Sequence, residues 1–153
     1  MNAVQTETET EVKGISKLDF SFPHGLVGFE SVKLFSLLQK DNDSSHAWLQ
    51  MMEGPELSFL LVPSISFFPD YAPDVSKDDL ELLKIQSPES LVMYNIVTIR
   101  DGGKATANLK GPVFFNMDNG IGGQFIAKNA LEFAVDQPLP LWASPIITRK
   151  ESC

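Results

Sequence analysis

The chain has 153 residues, a formal net charge of −8, 43% apolar residues and 11 Phe, the size and composition of one folded domain with its own core. One Cys, the last residue Cys153, and two His exclude an intramolecular disulfide and a zinc site of the usual Cys/His count. Residues 1–90 carry 15 of the 20 Asp/Glu but 6 of the 12 Lys/Arg, net −9 against +1 for the rest, a balance that argues against gripping nucleic-acid phosphates.

Such acidity suits a basic protein partner or serves solubility alone. Residues 1–11 are polar and acidic, unlike a signal peptide. The most apolar window, residues 57–68, is broken by Pro63 and several Ser and is too short to span a bilayer. Lack of paired cysteines fits a reducing cytoplasm.

In chain order, residues 4–11, Val-Gln-Thr-Glu-Thr-Glu-Thr-Glu, alternate strictly. They read either as an edge strand guarded by charge or as a frayed tail. Leu18, Phe20 and Phe22 alternate as a one-faced strand. It runs into Phe22-Pro23-His24-Gly25-Leu26-Val27-Gly28-Phe29-Glu30, a sharply shaped turn with apolar side chains to pin on a core. It lacks the Gly-Lys-Ser/Thr of a phosphate loop and the third glycine of a dinucleotide fingerprint. Residues 33–38 read as a strand and residues 40–46 as a polar hairpin tip. Asp41, Asn42 and Asp43 lie there without the Gly and Glu of a calcium loop.

Residues 48–52 and 57–62 read as adjacent antiparallel strands around the Glu53-Gly54-Pro55-Glu56 turn. Residues 65–68 continue the strand pattern until Pro69-Asp70-Tyr71 breaks it. A short helix is expected near residues 77–83, capped by Ser76, with Asp78 and Asp79 at its positive end and Pro88 beyond. Residues 91–100 are apolar on both faces, so this strand should be central. Turns at Asp101-Gly102-Gly103, Gly111-Pro112 and Asp118-Asn119-Gly120 separate strands at 105–109, 113–116 and 124–127. Residues 131–135 read as strand or helical turn, and Pro138 and Pro140 argue for an irregular end over residues 137–153. The expectation is mainly β: a small antiparallel β-barrel-like single domain with one short helix.

No catalytic constellation is visible. Gly-x-Ser-x-Gly, His-Glu-x-x-His and Cys-x-x-Cys are absent. His24 and His46 lie in turn-like polar stretches, neither with a Ser or Cys nucleophile at a recognisable motif, and the Asp78/Asp79 pair is most simply a helix cap. The chain is therefore read as a non-enzyme with no cofactor and no metal. Trp48, Phe67, Phe68, Tyr71 and Trp142 are candidate interface anchors, most of them more simply core. Tyr71 stands apart, because its hydroxyl needs a partner at a strand's end.

Phe22-Pro23-x-Gly25-Leu26-x-Gly28-Phe29-Glu30 resembles the signature near the start of the FliW family of bacterial flagellar assembly factors. Trp48-Leu49-Gln50, Phe67-Phe68-Pro69-Asp70-Tyr71, Asn95-Ile96-Val97-Thr98 and Thr106-x-Asn108-Leu109-x-x-Pro112 follow in the family's order, and Gln124 falls where a family Gln follows. The resemblance runs from about residue 18 to 128. The Tyr and nearby Arg usual for the family around residue 133 are missing, which leaves any partner contact of that segment unsupported.

The resemblance implies a cytoplasmic, monomeric β-barrel-like protein with two protein partners. One is flagellin. The other is CsrA, the RNA-binding translational repressor of flagellin, taken up when flagellin is exported. Gln50, Phe68, Tyr71 and Asn108 fall in the matching stretches and are nominated for flagellin. Glu53, Glu56, Asp78, Asp79 and Glu81 are nominated for CsrA. Direct nucleic-acid and membrane binding are not expected. The alternative is a small-ligand β-barrel protein or enzyme with a pocket at the barrel mouth.

Overall fold

A computed structural model describes residues 14–140; the Thr/Glu run and the segment after Pro140 lie outside the described residues. The strands are β1 (Ile15–Ser21), β2 (Leu34–Lys40), β3 (Ala47–Met51), β4 (Ser58–Pro63), β5 (Leu91–Ile99), β6 (Ala105–Ala107), β7 (Val113–Asn116), β8 (Ile121–Gln124) and β9 (Gln137–Pro138). Seven of them close a barrel in the order β1-β2-β3-β4-β5-β7-β8. All neighbours are antiparallel except β8 and β1, which meet in parallel at Ser21 and Ile121. The Ser21 N–H donates to the Gly120 carbonyl at 2.8 Å beside that seam. β6 and β9 continue the sheet outside the barrel, β6 pairing with the far end of β5.

Central β5 holds the molecule together. Its first half pairs with β7, its middle with β4 and its last residues with β6, as two apolar faces require. Inside the barrel Phe20, Phe22, Phe35 and Phe115 pack with Leu26, Leu49, Leu61 and Tyr94. Ring centroids lie 4.7 Å apart for Phe22 and Phe35 and 4.9 Å apart for Phe20 and Phe115, within the range favoured for tilted and edge contacts. Side chains thus fill the interior, as in other small barrels.

Outside the barrel lie two further cores. One gathers Leu60, Val62, Phe67, Val97, Ala107 and Leu109 under Leu139, with Trp48, Phe68, Tyr71 and Phe133 at its margin. The other packs Leu83, with Leu80 and Ile85, on Phe114 and Phe125.

The structure corrects the sequence reading at four places. Residues 65–68 are not strand. They belong to a one-turn helix, α1 (Ser64–Phe67), so the domain has a second short helix. In a strand, Ile65 and Phe67 would share a face, yet Ile65 is 79% exposed and Phe67 only 5%. The strand expected at 124–127 is β8, three residues earlier. Gly122 and Gly123 occupy it because a Cβ would lie 2.5 Å from the Phe22 ring or 2.6 Å from the Phe125 ring. β6 stops at Ala107, because the Asn108 side chain turns the chain by accepting from the Lys110 and Gly111 N–H groups at 3.0 and 3.2 Å. The end expected to be irregular carries β9, paired to β6 at Gln137 and Pro138. Residues 130–132 form a 3-10 turn.

The helix expected at 77–83 is α2 (Lys77–Leu82), and the Ser76 hydroxyl accepts from the Asp79 N–H at 3.1 Å, as its cap.

Candidate protein-binding site

The nominated residues fall into four places. Phe68, Tyr71 and Asn108 come together at one corner of the barrel, where α1 leaves β4. The Phe68 carbonyl accepts from the Tyr71 N–H at 3.0 Å, closing the Pro69-Asp70 turn. The Tyr71 hydroxyl donates to the Leu109 carbonyl at 2.6 Å. Its ring meets Phe133 edge-on at 5.0 Å.

Wholly buried Asn95 ties this corner to β5. Its Nδ2 donates to the Asn108 carbonyl at 3.0 Å and to the Tyr71 hydroxyl at 3.4 Å. Its Oδ1 accepts the Ser64 hydroxyl at 2.5 Å. Burial pushes the Tyr71 phenol up to about 12, the Asn95 bond pulling the other way. Ring and amide groups of the corner therefore build the fold, and the half-exposed parts of Phe68, Tyr71 and Asn108 are what a partner can meet. Gln50 is not in this network. It sits half-buried on β3, opposite Ser36 and Ser58.

Glu53 and Glu56 are exposed at the β3–β4 turn. The Glu53 carboxylate accepts from the Lys33 N–H at 2.9 Å, and Glu56 takes a left-handed φ of 62°. Asp78, Asp79 and Glu81 lie on α2, on another part of the surface. That helix is moored from β7 and the turn beyond it. Asn116 and Asn119 each donate from Nδ2 to the Leu83 carbonyl, at 2.9 and 3.1 Å, and more weakly to that of Lys84. The five carboxylates thus form two groups on a rigid frame.

The positioning roles of three residues, Asn95, Asn116 and Asn119, escaped the sequence reading. Each is an amide in a run of strand or turn, and only the fold reveals what it reaches. Gln124 was marked, but not its role. Its Oε1 accepts from the Val27 N–H and its Nε2 donates to the Gly111 carbonyl, both at 2.9 Å, clamping the signature turn to the Gly111-Pro112 turn. Within that turn the Gly28 N–H donates to the Glu30 carboxylate at 2.9 Å and holds its pKa below the ordinary value.

His24 is exposed, but His46 is only 6% exposed, with Nδ1 3.0 Å from the Ser45 hydroxyl. It belongs to the fold and not to the polar loop surface. Among the described residues no group of three or more His, Cys, Asp or Glu is placed to hold a metal ion, and no helix is long and apolar enough to cross a membrane.

This chain and its barrel have counterparts among known proteins. The chain is 33% identical over 128 residues to the flagellar assembly factor FliW of Leptospira interrogans, covering 82% of this chain and 85% of the relative. It is 40% identical over 107 residues to that of Moorella thermoacetica, covering 69% and 68%. A crystal structure of the flagellar assembly factor FliW superposes with a TM-score of 0.67 at 31% identity, over 85% of this chain and 86% of that one. The sequence profile of the family described as FliW protein matches residues 3–139, from before β1 to the end of the sheet, and the chain belongs to that family.

Proposed function

We propose that this chain is a flagellar assembly factor that works by binding proteins in the cytoplasm. It holds flagellin. When free of flagellin it binds and antagonises the translational repressor CsrA, relieving repression of flagellin synthesis. The family match over residues 3–139 carries this reading. The packed barrel interior favours it over a ligand carrier or an enzyme with a pocket at the barrel mouth.

Phe68, Tyr71, Asn108 and Gln50 are assigned to flagellin. A helical flagellin end is recognised by an apolar surface with a few polar fixings, and this outer face offers Phe68 and Tyr71 with amides nearby. Glu53, Glu56, Asp78, Asp79 and Glu81 are assigned to CsrA, since exposed charges mainly set the on-rate for a basic partner. The protein acts as a monomer.

Co-purification with flagellin and CsrA from the same cell tests the proposal, and recovery of neither partner contradicts it. Phe68→Ala should lower flagellin affinity about tenfold while CsrA affinity holds. Equal loss of both, with a matching fall in melting temperature, would reassign Phe68 to packing.

A further inference from the structure

The outer face of the barrel carries a short apolar strip where β2 begins and β3 ends. Leu34 is 50% exposed and Met52 43%. A backbone bond brings the two together. The Met52 N–H donates to the Leu34 carbonyl at 2.9 Å, and both side chains point away from the barrel core that holds Phe35 and Met51. Beside the strip runs a groove of about 290 Å³ whose lining includes Leu34, Met52, Asp19 and Asn119.

Carboxylates flank this apolar floor. Asp19 stands in the groove wall, its Oδ1 held by the Ser36 hydroxyl at 2.6 Å. Glu53 follows Met52 directly and is held by the Lys33 N–H. Lys33 itself is drawn away, its ammonium donating to the Pro23 and Glu30 carbonyls at 3.0 and 2.6 Å. Oriented acids beside adaptable apolar side chains complement a segment that is apolar along one side and cationic along its flanks.

We infer that the Leu34–Met52 strip and its groove dock an amphipathic segment of a basic protein partner, its apolar side on Met52 and its Lys or Arg side chains against Asp19 and Glu53. On the functional reading above, that partner is CsrA. The groove would then add an apolar anchor to a contact assigned so far to charges alone. It also favours the β3–β4 turn over α2 as the main carboxylate group.

Two arms test this. In the first, methyl NMR follows titration of the full chain with a short synthetic Leu/Lys peptide of amphipathic helical spacing. The Leu34 and Met52 methyls should shift at low salt and much less at high salt; no shift there overturns the groove. In the second, CsrA affinity is measured for Leu34→Ser/Met52→Ser and for Asp19→Asn/Glu53→Gln. These residues are exposed, and Asn and Gln keep the acceptors for Ser36 and Lys33, so folding should survive. Each pair should weaken CsrA about tenfold, and the charge pair should also flatten the salt dependence. Wild-type affinity in both pairs overturns the inference while leaving the function intact. CsrA binding absent from the unaltered chain contradicts the function instead, and the peptide arm still decides the groove.

Discussion

Gly25→Ala should be far more damaging than Gly28→Ala, although both glycines sit in one turn with left-handed φ, at 64° and 91°. Either substitution forces a side chain into the left-handed region, at about 1–2 kcal/mol, partly offset by about 0.4–1 kcal/mol of lost freedom in the unfolded chain. At Gly28 nothing lies within 4 Å of the added carbon, so the net cost is about 1 kcal/mol. At Gly25 the carbon would sit 2.5 Å from the Phe29 carbonyl oxygen and 2.8 Å from the Glu30 Cα. Those are backbone atoms and cannot rotate aside.

The turn is also pinned on both flanks. Phe22 and Leu26 are buried to 0% and 1% exposure, and the Gly25 and Phe29 N–H groups bond the Phe22 and Leu26 carbonyls at 2.9 and 2.8 Å. Overpacking of this kind adds about 1–3 kcal/mol, for a total near 3 kcal/mol. At about 2–4 °C per kcal/mol for a domain of this size, Gly25→Ala should lower the melting temperature by about 10 °C and Gly28→Ala by about 3 °C. Thermal unfolding followed by circular dichroism decides it. Equal shifts, or a larger one at Gly28, would refute the reading of this turn as a wedge against its own backbone.

Tyr71→Phe leaves the Leu109 carbonyl without its donor and should cost about 1–2 kcal/mol at neutral pH, read from denaturant unfolding. Because burial raises the folded phenol to about 12, the unfolded chain releases that proton first. This stabilisation is complete below about pH 10 and fades as pH rises towards 12; Tyr94, also raised by burial, acts in the same direction. Tyr71→Phe should therefore make melting temperature fall less steeply above pH 10, and an unchanged slope would dismiss the buried phenol. His46→Ala, harmless for a surface histidine, should cost about 1–2 kcal/mol because His46 is buried, with an unchanged melting temperature as the contrary result. Ser76→Ala removes the cap of α2 and should cost about 1 kcal/mol; no change in stability would mean that the Asn116 and Asn119 mooring suffices.

The barrel was legible because its strands announce themselves locally. β3 and β4 are apolar runs around a Gly-Pro turn, β5 is apolar on both faces, and α2 carries its cap three residues before the donor it satisfies. What was not legible depends on partners far along the chain. Ser64 begins a helix where the apolar run suggests strand, and its hydroxyl is held by Asn95, 31 residues away. Gly122 and Gly123 look like a loop until the Phe22 and Phe125 rings claim their space.

The candidate surfaces divide the same way. Tyr71 called for a hydroxyl partner, and one is present, but a backbone carbonyl 38 residues on cannot be read from spacing. The acids were visible as charges. Their separation into a turn group and a helix group follows only from the closed sheet.

The most direct measurement is calorimetric titration of the purified chain with CsrA, first alone and then after saturation with flagellin. The account predicts binding to each partner separately and loss of CsrA binding once flagellin is bound. No heat with either protein, or CsrA affinity unaltered by bound flagellin, would contradict it.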